Sequence, residues 1–109
     1  MLVLYGLKNC DTCRKALKEI EASGNQIVLH DVRADPVSPE KLQKFLDAFG
    51  GKLVNTRSTT WRGLSEKERS ESPLSLLKSH PTLMKRPVIE GAGNLTLGWD
   101  QSVRDQYKG

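Results

Sequence analysis

Two cysteines separated by two residues carry the strongest chemical signal in the sequence. They lie in the segment KNCDTCR, residues 8–14. The thiolate rather than the thiol is the nucleophile, so a reactive cysteine needs surroundings that lower its pKa. The start of a helix supplies them, because its first N–H groups lack intrahelical partners and carry partial positive charge. We therefore predict that Cys10, at the junction of a strand and a helix, is a catalytic nucleophile.

The charged neighbours of Cys10 bear on the same prediction. Lys8 and Arg14 are expected to favour the thiolate and to bind an anionic substrate, whereas Asp11 opposes them. The sequence therefore predicts a local basic pocket around a reactive sulfur.

Cys13 allows two interpretations. Residues three apart on a helix share a face, so this thiol could resolve a mixed disulfide on the first cysteine. It also falls in helical register with Ala16, Leu17 and Ile20, which is typical of a core residue. A metal site is not predicted, because the spacing of His30 and His80 from the cysteines matches no zinc module.

The order of predicted elements defines the fold class. A β-prone run at residues 2–5 ends at Gly6, a helix covers 12–23, and a strand covers 26–30. Three predicted helix N-termini follow, at Ser38-Pro39, Ser65 and Ser72-Pro73. Two short strands then flank a glycine-rich turn at 91–94, and Asp100 caps a last helix through Tyr107.

This order, β-α-β, helices, then β-β-α, predicts a thioredoxin-like α/β fold with an inserted helical region, arranged as a three-layer sandwich. We find no linker or repeat, and expect one domain over residues 1–109. For the other conspicuous side chains we predict structural roles. Trp61 and Trp99 are predicted to be packing residues, His30 to be structural and His80 to end a helix.

Composition narrows the function classes. The chain has 109 residues, 37% of them hydrophobic and 28% charged, with a net charge of +4 spread along its length. A scattered excess of basic residues does not predict a nucleic-acid partner, and a non-enzymatic nucleic-acid binder is only a further alternative. No apolar run approaches a membrane span, and the first residues are typical of a strand rather than a signal peptide. We expect a cytoplasmic protein without a membrane partner.

Three separated blocks resemble a known family. They are LYGLKNCDTCRKA from residue 4, NTRSTTWR from residue 55 and RPVI from residue 86. Together they resemble the arsenate-reductase-like proteins related to the ArsC, Spx and YffB groups, and the first two blocks favour the YffB-like branch. The resemblance covers nearly the whole chain.

The resemblance implies particular roles. Cys10 matches the catalytic cysteine of the family, Arg57 its anion-binding arginine, and Arg86 the arginine before a cis-proline, here Pro87. In the family that proline sits opposite the cysteine, and glutathione is the usual thiol partner. We therefore expect glutathione as a co-substrate positioned by Pro87, and no bound cofactor.

The predicted function is a glutathione-dependent thiol reductase with Cys10 as nucleophile, acting on a small-molecule or protein thiol or disulfide. One alternative is arsenate reduction with glutathione and glutaredoxin. Arsenate reductases of the family carry a further arginine after the last hairpin, whereas here no basic residue follows Leu97 until Arg104. Another alternative is an Spx-like redox-switched regulator that binds RNA polymerase, since that group uses a Cys-x-x-Cys pair as its switch.

Overall fold

The computed structural model of this chain describes residues 1–91 and 93–107. The chain divides into two compact units. The first comprises Met1–Val32 and Arg86–Gly109, and the second comprises Arg33–Lys85. Among the described residues no helix is both long and apolar enough to cross a bilayer.

The first unit is a four-stranded sheet with two helices. Its elements are β1 (Leu2–Gly6), α1 (Asp11–Ala22), β2 (Ile27–Asp31), β3 (Val88–Gly91), β4 (Asn94–Leu97) and α6 (Gln101–Gln106). The strand order is β2-β1-β3-β4, with β1 parallel to β2 and antiparallel to β3, which pairs antiparallel with β4. This is the predicted thioredoxin-like order. The ends of the first two strands and of α1 lie within about one residue of expectation, whereas the hairpin strands are longer than predicted, because Gly91 and Asn94 pair across the sheet and are not turn residues. Of the predicted turn at 91–94, Ala92 lies outside the described residues.

The second unit is helical, and it is the predicted insertion. Its elements are α2 (Pro39–Phe49), α3 (Thr59–Arg62), α4 (Glu66–Arg69) and α5 (Pro73–Ser79), with 3-10 turns at Gly50–Leu53 and Pro81–Leu83. The predicted helix starts are confirmed, because the hydroxyls of Ser38, Ser65 and Ser72 each accept a hydrogen bond from a backbone N–H of the first turn. His80 ends α5, as predicted.

The core of the first unit lies between the sheet and the helices. Its buried members come from β1, α1, β3 and α6, and they are Leu2, Leu4, Cys13, Ala16, Ile20, Ile89, Val103 and Tyr107. Trp99 packs against this cluster with its ring 6.2 Å from that of Tyr107, and its indole N–H donates to Glu19. Trp99 is thus a packing residue, as predicted. Arg104 also donates to Glu19, at 2.8 Å, which ties α6 to α1.

Gly6 allows the last residue of β1 to meet α1 at close range. A Cβ atom at this position would lie 2.4 Å from the Cys13 sulfur and 3.2 Å from the Leu4 side chain. Both neighbours are fully buried, so neither can move aside freely. Only a residue without a side chain fits between the strand and the helix here.

We predict that Gly6→Ala lowers the free energy of unfolding by about 1–3 kcal/mol, the usual cost of inserting a carbon into a packed core. Chemical denaturation followed by circular dichroism measures it. Gly51→Ala is the matched control, because a Cβ there meets no atom within 4 Å. Equal stability of the two variants would contradict the close contact between Gly6 and Cys13.

Candidate active site

Cys10 is the N-cap residue of α1. Its backbone is extended, with φ −90° and ψ 120°, and its carbonyl accepts the N–H of Arg14 at 3.0 Å to begin the helix. Its own N–H donates to the Leu7 carbonyl at 3.1 Å, closing the loop that leads out of β1. The Asp31 carboxylate accepts the backbone N–H of Lys8 at 3.1 Å and holds the same loop. The predicted position of the sulfur at a strand–helix junction is confirmed.

The surroundings of the Cys10 sulfur favour the thiolate. Burial is the largest single influence and raises its pKa, but it is outweighed by the Cys13 backbone N–H, the Cys13 thiol and the Arg86 guanidinium. The pKa of Cys10 therefore lies below its ordinary value. The Cys13 N–H belongs to the third helical residue, whose N–H is the one an N-cap side chain usually meets. Its contact with sulfur falls short of a full capping hydrogen bond, yet it favours the anion.

Cys13 is a core thiol in contact with the Cys10 sulfur. Only 1% of its surface is exposed, and it lies in the cluster against which Cys10 packs. Burial is the main reason that the pKa of Cys13 rises to about 12, and the neighbouring charge of Cys10 raises it further. The Leu7 backbone N–H, a donor to this sulfur, acts in the opposite direction. The structure thus confirms that Cys13 is buried, without testing whether it resolves a disulfide.

Arg86 and Pro87 reach the site through the strand pairing. Tyr5 in β1 is opposite Val88 in β3, so the start of β3 lies at the edge of the sheet where β1 ends. Arg86 is half-buried there and acts on the pKa of Cys10 by both a hydrogen bond and its charge. Pro87 is fully buried, and the peptide bond that precedes it is cis, as the family resemblance implied.

The other predicted basic residues have different positions. Arg14 has 59% of its side chain exposed and forms an ion pair with Asp11 at 2.5 Å. Lys8 is exposed, and it is its backbone N–H that bonds to Asp31. The cation that acts on the Cys10 sulfur is therefore Arg86, which is distant in sequence. The roles of Lys8 and Arg14 in binding an anion stay predictions.

Arg57 lies in the second unit, on the segment between a 3-10 turn and α3. Its side chain is exposed, and its backbone N–H donates to the Asn55 side chain at 3.0 Å. Ser58 donates its hydroxyl to the Asn55 carbonyl at 2.9 Å and caps α3, which fixes the turn. The anion-binding role of Arg57 stays a prediction that rests on the family resemblance.

Two contributors to the site were missed by sequence reasoning. Gly6 was interpreted only as the end of a strand, although it makes room for the Cys13 sulfur. Asp31, the last residue of β2, holds the Lys8 N–H, although the sequence pattern ends this strand at residue 30. A glycine or aspartate at the end of a strand is so common in turns that neither residue type signals a site. Among residues 1–91 and 93–107, no three His, Cys, Asp or Glu side chains are placed to hold a metal ion.

The comparisons with known proteins agree with this architecture. Residues 5–106 match the model of the ArsC family, and the chain belongs to that family. An uncharacterised protein of Haemophilus influenzae is 41% identical over 106 residues, which are 93% of each chain. The global transcriptional regulator Spx of Bacillus subtilis is 27% identical over 93% of this chain and 82% of its own.

Solved structures show the same relationship. A protein named YffB has a similar structure over the full length of both chains, with a TM-score of 0.90 and 27% identity. An arsenate reductase related protein from Brucella melitensis has a TM-score of 0.73 and 33% identity, over 97% of this chain and 92% of its own. The predicted relationship to the ArsC, Spx and YffB groups is confirmed.

A free cysteine thiol has a pKa of about 8.5. We predict that the pH midpoint for alkylation of Cys10 by iodoacetamide lies below that value. Arg86→Met should move the midpoint to higher pH, because it removes a donor and a positive charge from the thiolate. Peptide mass spectrometry across the pH range measures both. Lys15→Met, an equal loss of charge at an exposed α1 position, should leave the midpoint in place. A wild-type midpoint at the value of free cysteine would contradict this account of the site.

Proposed function

We propose that this chain is a thiol–disulfide oxidoreductase that uses Cys10 as its nucleophile and glutathione as its thiol partner. The observation that supports it is the Cys10 sulfur at the start of α1, in contact with Arg86 and Cys13, with a lowered pKa. A depressed thiol pKa at a partly exposed position is the combination that distinguishes reactive cysteines from structural ones.

The reaction balances as two thiol–disulfide exchanges. The Cys10 thiolate attacks the glutathione sulfur of a mixed disulfide, a new S–S bond forms, and the substrate leaves as a thiolate that takes a proton. A second glutathione thiolate then attacks the glutathione sulfur on Cys10. This step releases glutathione disulfide and returns the Cys10 thiolate. The substrate sulfur is thus reduced to a thiol and one glutathione thiol is oxidised, since the other half of the glutathione disulfide comes from the mixed disulfide itself.

The ligand is held by charge and by the backbone. Guanidinium groups stay charged and donate paired hydrogen bonds to carboxylates, which glutathione carries at both ends. Arg86 is placed at the sulfur and would bind one carboxylate, while the family resemblance assigns Arg57 to another. The backbone beside Pro87, at the start of β3, would keep the peptide extended against the cysteine loop.

Arsenate reduction is a second candidate, and membership of the ArsC family favours it. The segment after the last hairpin argues against it, since Asp100 there caps α6 and accepts the Val103 N–H at 3.0 Å. The next basic residue, Arg104, is paired with Glu19. Oxidation of glutathione that depends on added arsenate would favour this candidate, and its absence would leave thiol exchange.

A redox-switched regulator of the Spx kind is a third candidate, because Spx aligns with most of this chain. Such a regulator would bind RNA polymerase without turning over a substrate. Affinity capture with purified polymerase, under oxidising and under reducing conditions, distinguishes a regulator from an oxidoreductase. Absence of binding under both conditions would rule out the regulator.

We predict that Cys10→Ser reduces the turnover of a glutathione mixed disulfide to the rate seen without protein, because a hydroxyl at this position remains protonated. NADPH oxidation coupled through glutathione reductase measures it. The exposed variant Lys15→Met should retain wild-type turnover, and circular dichroism confirms that both variants fold. Turnover retained by the serine variant would rule out Cys10 as the nucleophile.

We also predict that Arg57→Met raises the KM for the glutathionylated substrate about tenfold, the loss expected for one hydrogen bond to a charged group. The kcat should change less, because Arg57 would bind the ligand rather than the reacting sulfur. Arg62→Met is the control, since Arg62 is an exposed arginine at the end of the following helix, α3. An equal KM for the two variants would remove Arg57 from the binding site.

A further inference from the structure

The two cysteines have opposite surroundings. Cys10 is partly exposed, and its environment stabilises a charge. Cys13, three residues further on, is 1% exposed and packs with Leu4, Ala16 and Ile89. A thiol of that kind is unsuited to exchange with solvent, so its role in the chemistry needs a separate explanation.

We propose that Cys13 is a positioning residue that donates its S–H hydrogen bond to the Cys10 thiolate and remains a thiol throughout the reaction. The mixed disulfide on Cys10 is then resolved by external glutathione and not by Cys13. The chemistry in this statement rests on the proposed function, whereas the hydrogen bond stands independently of it.

The direction of the hydrogen bond follows from the donors around Cys13. The Leu7 backbone N–H donates to the Cys13 sulfur, so that sulfur already serves as an acceptor on one side. Its own proton is left for the neighbouring Cys10 sulfur, with which it forms a side-chain hydrogen bond. The Cys13 backbone N–H acts on the same Cys10 sulfur, so one residue supplies two donors to the thiolate.

The position of the Cys13 sulfur favours this role over disulfide formation. It fits against the bare Cα of Gly6, where even one added carbon would lie 2.4 Å away. A disulfide requires the two sulfur atoms about 2.05 Å apart. Any displacement of the Cys13 sulfur toward a disulfide would take it from its contact with Gly6 and from the Leu7 N–H, and would open space in a packed core.

The ionisation of Cys13 points in the same direction. A resolving thiol must attack as a thiolate, and burial is the main cause that holds the pKa of Cys13 near 12. Converting Cys10 to a mixed disulfide removes its charge but leaves that burial unchanged. An external thiol with a pKa of about 8.5 is ionised to a few per cent at neutral pH and reaches Cys10 from solvent.

Two substitutions in the full chain test the hydrogen bond. Cys13→Ala removes the side-chain donor, and Cys13→Ser keeps a donor of similar size. In the alanine variant the pH midpoint for alkylation of Cys10 should move to higher pH. At any pH below the wild-type midpoint, the alkylation rate should therefore fall about tenfold. The serine variant should restore most of the wild-type profile. Coincident profiles for wild type and the alanine variant would overturn the proposal.

A single-turnover measurement on the wild-type chain tests the second part without any substitution. The reduced protein is mixed with one equivalent of glutathione mixed disulfide in the absence of other thiols, and its mass is followed. The expected product keeps glutathione on Cys10. Release of that glutathione with the loss of two hydrogens from the protein would show a Cys10–Cys13 disulfide and overturn the proposal.

The two measurements separate this inference from the proposed function. If alkylation shows the expected shift but the protein takes up no glutathione, the proposed glutathione chemistry is wrong and the hydrogen bond from Cys13 to Cys10 stands. The claim that external glutathione, and not Cys13, resolves the mixed disulfide is then overturned as well. If glutathione is taken up but the alkylation profiles coincide, the proposed thiol–disulfide exchange at Cys10 stands and the positioning role of Cys13 is wrong.

Discussion

A negative charge on a partly buried sulfur is the constraint on which the rest of the first unit depends. Burial alone raises the pKa of Cys10 and opposes the charge, and hydrogen bonds with a nearby cation must offset that cost. Three elements meet to do so. The end of β1 delivers the loop, the start of α1 supplies the Cys13 N–H and thiol, and the start of β3 supplies Arg86. Remove any of these elements, and the thiolate loses part of its stabilisation.

The core and the site share residues, which couples stability to chemistry. Cys13 belongs to the same buried cluster as Leu2 and Ile20, yet its N–H and thiol act on the Cys10 sulfur. Gly6 makes this possible because it has no side chain, so β1 can approach α1 closely enough for the Cys13 sulfur to occupy the space of a Cβ atom. Because protein interiors are close-packed, a change in this contact is felt by the sulfur as well as by the fold.

The ArsC family contains proteins whose names indicate reductases and others that are transcriptional regulators. A stabilised thiolate is useful to both, since reduction and redox switching begin with the same nucleophilic attack. Under the function proposed for this chain, the two would differ in the fate of the mixed disulfide on Cys10, which depends on whether a second thiol can reach it. A second thiol held in the core favours turnover with an external thiol over a switch within the chain.

The sequence by itself determined the order of the elements, the helix caps and the position of Cys10 at the start of α1. These features are local: Ser38, Ser65 and Asp100 cap helices through neighbouring N–H groups, and the position of Cys10 follows from where the helix begins. Only the tertiary structure decided which cation stabilises the thiolate. Lys8 and Arg14 are near Cys10 in sequence, but Arg14 is paired with Asp11, and Arg86 reaches the sulfur because β3 pairs with β1. The contact of Gly6 with Cys13 was equally invisible, since strand pairing and packing bring together groups whose spacing in sequence carries no signal.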